Sequence, residues 1–380
     1  MQAGLLDTYH RPVSTRRSPA WIVTGVLIAF YLLLYFGKEN YDAHDAATRY
    51  AADPLNLLIV KLGWPTDASS GSLWVFSKWY LYAGLYTLGM MVGGYFMLKK
   101  HGNSRYHQLR TLSLVSVQAI LGFMLPIALD FAKRPAWYFS YFFPLKYDLF
   151  FPYNLDHMQP TVAAWFIFGN VIGLPLLVYF KGKRVYCSWI CGCGGLAETF
   201  GDPWRHLSSK SPKAWRIEQV SIHSVLFAAF AMLGLVIADG MAPADSAIHG
   251  WANNYKHLYS LAIGSVFSGV IGTGLYPVMG TRVWCRFGCP MAAMLGLIQK
   301  FGRFRIAVKK DMCISCGNCS TYCEMGIDVR SYAMQNKDIK RASCVGCGMC
   351  AHVCPRGVLQ LVTKKDAGPG AHTAEWTLDL

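Results

Sequence analysis

Apolar and polar residues fall in long alternating blocks along this chain, and the length of the apolar blocks is the first constraint on its fold. Apolar stretches occupy 20–36, 74–98, 111–131, 161–180, 220–238 and 258–279. Most approach or exceed the roughly 20 residues that an α-helix needs to cross a hydrocarbon core, so the pattern predicts six membrane-spanning helices. The first follows Arg11, Arg16 and Arg17 and has no small-residue cleavage site after it, which predicts an uncleaved anchor. Between the first two spans, 41–62 sets Leu55, Leu57, Leu58, Val60 and Leu62 at helical spacing and predicts an amphipathic helix on the outer membrane surface. Residues 200–219, polar and basic with two prolines, read as a loop, and Met291–Phe301 as a short amphipathic helix. The expected organisation is an N-terminal segment 1–19, a six-helix domain 20–302, a cysteine-rich domain 303–366 entered through the basic linker Arg303–Lys310, and a flexible tail 367–380.

Composition supports the membrane reading. Hydrophobic residues make up 53% and charged residues 15%, against about 25% charged in an ordinary soluble domain. The formal charge of +15 would also suit a nucleic-acid binder. The basic residues sit beside the apolar blocks, however, so no nucleic-acid partner is expected. Segments 1–19, 99–110, 181–219 and 280–310 carry 21 Lys and Arg, against 7 in 37–73, 132–160 and 239–257. The positive-inside rule makes the first set cytoplasmic. Both termini and the cysteine-rich end then lie in the cytoplasm of a bacterial-type inner membrane. The outer loop 132–160 is dense in aromatics, from Trp137 to Tyr153, as an interfacial belt or a lid over a partner site would be.

Eight of the 13 cysteines form two runs with metal-ligand spacing. Cys313-x2-Cys316-x2-Cys319-x3-Cys323 is followed by Cys344-x2-Cys347-x2-Cys350-x3-Cys354-Pro355, the pattern of bacterial two-cluster ferredoxins. In that pattern the fourth cysteine serves the other cluster. Cys313, Cys316, Cys319 and Cys354 are therefore expected to hold one [4Fe–4S] cluster, and Cys344, Cys347, Cys350 and Cys323 the second. Zinc ligands come instead as separated pairs. Gly317, Gly346 and Gly348 let backbone amides approach the cluster sulfurs. Glu324 stands where a proline is frequent and puts the local turn in question.

A second cysteine pattern repeats. Gly182-Lys-Arg-Val-Tyr-Cys187-Ser-Trp-Ile-Cys191 follows the fourth span, and Gly280-Thr-Arg-Val-Trp-Cys285-Arg-Phe-Gly-Cys289 follows the sixth. Spans three–four and five–six then read as two related halves, their motifs side by side just below the bilayer. Each pair is spaced i,i+4, on one face if the helix continues. The four thiols suit a metal or further cluster, a dithiol–disulfide couple, or plain packing. Arg184, Arg282 and Arg286 nearby favour thiolate, and Cys193 is an additional redox candidate outside the repeat.

A membrane haem is not expected, because His223 and His157 fall toward opposite faces. Asp156, His157 and Gln159 are candidates for binding a quinone or moving protons, or simply cap a helix start. Asp130, near the outer end of the third span, reaches water or pairs with Lys133.

Over roughly 160–360, the two Cys-x3-Cys motifs and the two-cluster run together resemble the polyferredoxin-type membrane iron–sulfur proteins of the NapH, NosR and CcoG kind. Gly192-Cys193 replaces the proline frequent after the first Cys-x3-Cys in that group. The resemblance implies an α-helical polytopic membrane protein with a cytoplasmic C-terminal two-[4Fe–4S] ferredoxin domain. It further implies an electron-transfer subunit working between a quinone pool or cytoplasmic donor and other redox subunits. The alternative is a maturation factor that reduces a metal or a disulfide for another enzyme. A redox sensor has no signalling module to support it.

Overall fold

The computed structural model describes residues 17–37, 53–63, 78–132, 134, 138–145, 158–243 and 246–363. The chain is mostly helical, with one small two-stranded sheet near its end. Five helices among the described residues are long and apolar enough to cross a membrane: Pro19–Phe36, Lys78–His101, Arg105–Phe131, Pro160–Lys181 and Pro212–Met241. The first begins at Arg17 as α1, and the short α2, Pro54–Lys61, precedes the others, which are α3, α4, α5 and α8. Only 17–33% of the most apolar window of each span is buried inside the protein. Side chains such as Phe96, Ile172 and Phe227 face outward, and lipid is the solvent that removes the cost of exposing them.

The sixth expected span differs. Residues 258–279 are divided between α9, Ile248–Tyr259 continued by the π-helical Ser260–Thr273, and the separate short helix α10, Tyr276–Met279. The first half of α9 is polar, and a turn at Gly274–Leu275 cuts the apolar half short. The fifth span also starts earlier than its apolar block, at Pro212, because Ser211 caps it by accepting from the Ala214 amide at 3.2 Å. The expected loop 200–219 therefore contains a 3-10 turn, Asp202–Leu207, and the first helical turns of α8.

Two spans widen to π geometry just ahead of a proline. Gln118–Met124 in α4 precedes Pro126, and Gly169–Gly173 in α5 precedes Pro175. Proline cannot donate and its ring crowds the carbonyl four residues back, so a wider turn relieves the clash without ending the helix. At the opposite end of the bundle from the ferredoxin domain, Asp53 caps α2 and pairs with Lys78 at 2.7 Å, both side chains buried. Asn56 accepts from the Lys78 amide at 2.9 Å. This polar knot fixes α2 to the start of α3. The remainder of the expected amphipathic stretch 41–62 and most of the aromatic loop lie outside the described residues, as does the tail.

The C-terminal domain pairs β1, Arg305–Val308, antiparallel with β2, Leu359–Val362, with Arg305 opposite Val362. The expected linker Arg303–Lys310 is thus largely a strand of this domain. The amphipathic α11, Pro290–Phe301, leads into it as expected and packs on α5 and α8.

The two motif copies fold alike. Gly182 and Gly280 stand at φ +82° and +94°, where a side chain is strained. In each copy the amide of the second cysteine donates five residues back to the aromatic before the first: Cys191 to Tyr186 at 2.8 Å, and Cys289 to Trp284 at 2.9 Å. A Cβ on Gly280 would lie 2.7 Å from the Ser208 amide nitrogen. Gly280→Ala is expected to destabilise the protein by about 1–3 kcal/mol. Gly234→Ala, with nothing within 4 Å of its new Cβ, should be near neutral; thermal unfolding in detergent compares the two.

Candidate metal centre

The ferredoxin domain is itself a repeat. Gly317 and Gly348, at φ +82° and +80°, open short helices α12, Asn318–Thr321, and α14, Met349–His352, that carry the third cysteine of each run. Four residues past the fourth cysteine, an amide donates back to its sulfur: Ile327 to Cys323 and Val358 to Cys354, each at 3.4 Å. The Ser315 amide does the same for Cys313 at 3.4 Å. Such donors stabilise sulfur-centred negative charge and so tune a bound centre.

The sequence grouping of ligands reappears as spatial grouping. Cys313, Cys316, Cys319 and Cys354 line one cavity together with Arg330, Pro355 and Arg356. Burial pushes the Cys319 thiol up to about 12, and its other thiol neighbours are Cys354, Cys316 and Cys313. Cys350 is raised first by burial, then by Cys347, Cys344 and Cys323, and last by Cys319 of the other group. Each run contributes three cysteines to one group and its fourth to the other. Four sulfurs around a cavity are a donor set that fits an iron–sulfur cluster, which would supply one-electron redox chemistry and hold the sulfurs as thiolates.

The second group is clamped to the membrane helices through its main chain. The carbonyls of Cys344, Val345 and Gly346 accept from Gln299 Nε2, Ser188 Oγ and Tyr106 OH, each at 2.8 Å. Arg110 donates to the Cys347 carbonyl, Gln299 also to the Arg341 carbonyl at 2.9 Å, and Lys183 to that of Ala342. The first group is more open, with Cys316 exposed.

Below this contact runs a buried chain of charges. Glu198 pairs with Arg110 at 2.7 Å and with Arg282. Arg282 also meets Glu324 at 3.1 Å, and Glu324 meets Arg205 at 2.9 Å. Arg205 continues to Asp202 at 3.2 Å, and Asp202 to Lys100 at 2.7 Å. Burial alone would raise the Glu324 carboxyl, but Arg205 and Arg282 outweigh it and hold it below the usual range. The residue that broke the expected Cys-Pro pattern is therefore an anchor. Sequence reasoning missed Arg110, Glu198 and Arg205; the available signal was charge set directly against an apolar span.

Cys187, Cys191, Cys285 and Cys289 are brought together, all 5–7% exposed. The expectation of i,i+4 pairs on a continuous helix is not met. Cys187 ends the short α6, Arg184–Cys187, and Cys191 caps the next helix, α7, Gly192–Glu198. Cys285 sits in the π turn Trp284–Gly288, and Cys289 caps α11, accepting from the Ala292 amide at 3.4 Å. The chain reverses between the two cysteines, because Gly192 and Pro290 begin new helices. Gln118 donates to the Ile190 carbonyl, beside Cys191, at 2.6 Å, and thirteen residues of rise from Arg105 place it about 20 Å along α4.

The three nearby arginines differ in what they reach. Of the three arginines, Arg282 reaches a thiol, 3.6 Å from Cys285 Sγ, and it also donates to the Cys187 carbonyl at 3.3 Å. Arg184 stacks on Phe304 and Tyr106, while Arg286 pairs with Glu218 at 2.6 Å. Burial dominates, raising Cys187 to about 12 and raising Cys285 as well. Cys193 contacts Cys191 and so belongs to the thiol group, although it stands outside the repeat. Among the described residues, no three His, Cys, Asp or Glu converge closely enough to hold a single metal ion.

The remaining candidates stand apart. Asp156 and His157 lie outside the described residues, as does Lys133. Gln159 is exposed at the start of α5 and caps it with no side-chain bond. His223 is exposed on α8 with Nδ1 2.6 Å from the Gln219 carbonyl, and Asp130 accepts from Tyr80.

Comparison with known proteins agrees with these sites. A 4Fe–4S dicluster domain matches 312–359, and a 4Fe–4S binding domain matches twice, over 162–213 and 262–309. The double match extends the repeat back over the helix preceding each motif. The chain is 26% identical over 207 residues to YccM of Escherichia coli, named for electron transport, covering 49% of this chain and 52% of that protein. It is 24% identical over 185 residues to the methylamine utilization ferredoxin-type protein MauN of Paracoccus denitrificans, covering 45% of this chain and 60% of that one. The chain thus spans about half to three-fifths of the length of these relatives. No solved structure matches it. The resemblance to polyferredoxin-type 4Fe–4S proteins is borne out.

Replacing Glu324 by Ala takes one of two carboxylates from each of the buried Arg282 and Arg205, leaving them Glu198 and Asp202. It is expected to cost up to about 3–5 kcal/mol and to loosen the ferredoxin domain from its seat, read as faster proteolysis of that domain with unchanged detergent solubility.

Proposed function

We propose that this chain is a membrane-bound electron carrier that takes electrons between a redox partner and a station inside the membrane. Cys313, Cys316, Cys319 and Cys354 hold the first [4Fe–4S] cluster. Cys344, Cys347, Cys350 and Cys323 hold the second. The observation that carries the reading is the clamped main chain of Cys344–Cys347, which seats the second cluster site against Ser188, the residue after Cys187. Arg282 completes the connection. It touches the thiol group at Cys285, and through Glu324 it reaches the neighbour of Cys323.

The thiols Cys187, Cys191, Cys285 and Cys289, with Cys193 beside them, are the next station, sunk among the spans. Their double match to a 4Fe–4S binding domain favours a further iron–sulfur centre over packing thiols. Their burial favours the carrier over the maturation factor, because an external metal or disulfide has no access to them. The whole of α9 serves as a sixth span, its apolar half packed against α1 and its first half against α8. The distribution of Lys and Arg then sets both termini and the ferredoxin domain on the cytoplasmic side.

Anaerobic purification with iron counting and EPR tests this. Cys316→Ser should remove signal from one cluster and Cys347→Ser from the other, each without abolishing membrane insertion. Full iron content in either variant rejects the ligand assignment. Iron clearly above about eight per chain, two four-iron clusters' worth, that falls in Cys285→Ser places a centre among the buried thiols.

A further inference from the structure

The ferredoxin domain has one side against the helices and one side open, and the open side is strongly basic. Its contacts with the membrane elements fall on 303–304, 321–326, 341–349 and 352–353, through Tyr179, Lys210, Arg205, Arg286, Gln299, Met97 and their neighbours. The cavity walled by Cys313, Cys316, Cys319 and Cys354 lies away from those contacts, and its rim is formed by the exposed Arg330 and Arg356. Exposed Ile314, Cys316 and Met334 sit at the same end. Ser315 joins Met334 at 3.2 Å, and the Asp311–Asn336 contact at 2.8 Å brings the exposed Lys310 and Lys337 to this end as well.

Over 303–363 the domain carries nine Lys and Arg against four Asp and Glu. Two of those acids are neutralised by ion pairs: Glu324 is buried in its own, and Asp338 pairs with Arg305 at 2.9 Å. Asp328, which accepts from Ser320 at 2.7 Å, and the exposed Asp311 keep their charge. At the Cys316 end, Arg330, Arg356, Lys310 and Lys337 outnumber Asp311, so the face is positive on balance.

We propose that this face docks a soluble, acidic one-electron carrier protein, whose own redox centre is brought against Cys316 at the rim of the first cluster site. The proposal rests on the electron-carrier reading above and adds to it the place and charge of the partner. An apolar centre ringed by charge has the anatomy of a transient protein interface, and opposite charge steers the encounter. Anionic lipid headgroups would also attract arginine, but the seated side of the domain faces the helix ends and turns this face away from them.

The experiment uses the full protein with its clusters, in nanodiscs of phosphatidylcholine, with an acidic flavodoxin as probe. Cluster absorbance is recorded on every sample, and binding is measured by surface plasmon resonance at low and high salt. The unaltered protein should bind and lose affinity steeply with salt, whereas Arg330→Glu/Arg356→Glu should bind at least about tenfold more weakly at low salt. Lys213→Glu/Arg216→Glu, on the exposed start of α8, should bind as the unaltered protein does. Equal affinity in the Arg330/Arg356 variant, or no binding by protein that retains its cluster absorbance, overturns the proposal. So does a charge reversal that alters only association with phosphatidylserine vesicles, which assigns the patch to lipid. Unaltered protein lacking cluster absorbance rejects the electron-carrier reading itself, and this proposal falls with it.

Discussion

The pairing of Glu324 with Arg282 and Arg205 is the constraint on which the rest of this architecture depends. Each of these side chains is essentially inaccessible, so none is stable in its place without the others. Desolvating five charges from Arg110 through Glu198, Arg282 and Glu324 to Arg205 is costly, and a well-packed apolar substitute would hold two domains together at least as firmly. What the ions supply is registry. Arg282 has a carboxylate on either side, one following the buried thiols and one following a ferredoxin cysteine, and only one seating of the domain satisfies both.

That seating gives the molecule a depth axis. The first cysteine group is open to solvent, the second is pressed against helix ends, and the third lies among the spans at the level of Gln118. Exposure falls step by step along this line, and with it the access of water. Buried, desolvated sulfur sites differ in potential from exposed ones through burial and hydrogen bonding alone. A gradient in surroundings is therefore built into the order of the three groups.

How much of this was legible follows from how far each signal reaches along the chain. The ferredoxin cysteines are local: their spacing within each run is plain in sequence, and the cavity places Cys354 of the second run beside Cys313, Cys316 and Cys319 of the first. The repeat at Gly182 and Gly280 was legible for the same reason, down to the matching hydrogen bonds. The charge network was not, because Glu198 and Arg282 stand 84 residues apart and a charged residue in sequence does not name its partner. Glu324 was visible only as an exception to a pattern. The depth of the thiols was hidden by α7, whose glycine-rich start looks like a surface turn but lies beside the middle of α4. The sixth apolar block runs past the end of its helix because hydropathy does not register the turn at Gly274 and Leu275.

The row of carbonyls at Cys344–Cys347 has a consequence for how this interface evolves and how it can be dissected. A contact made by main-chain acceptors is indifferent to the side chains that carry them. The glycine of the loop is held for a separate reason: Gly346 stands at φ +61°, and a Cβ there would lie 2.8 Å from Arg184, so the path of the loop rather than its side chains makes the contact. At this loop the recognition information therefore resides on the helices, in Tyr106, Arg110, Ser188 and Gln299. An alanine scan of the ferredoxin domain would find Glu324 and pass over this row of contacts, which the same scan of the helices would reveal.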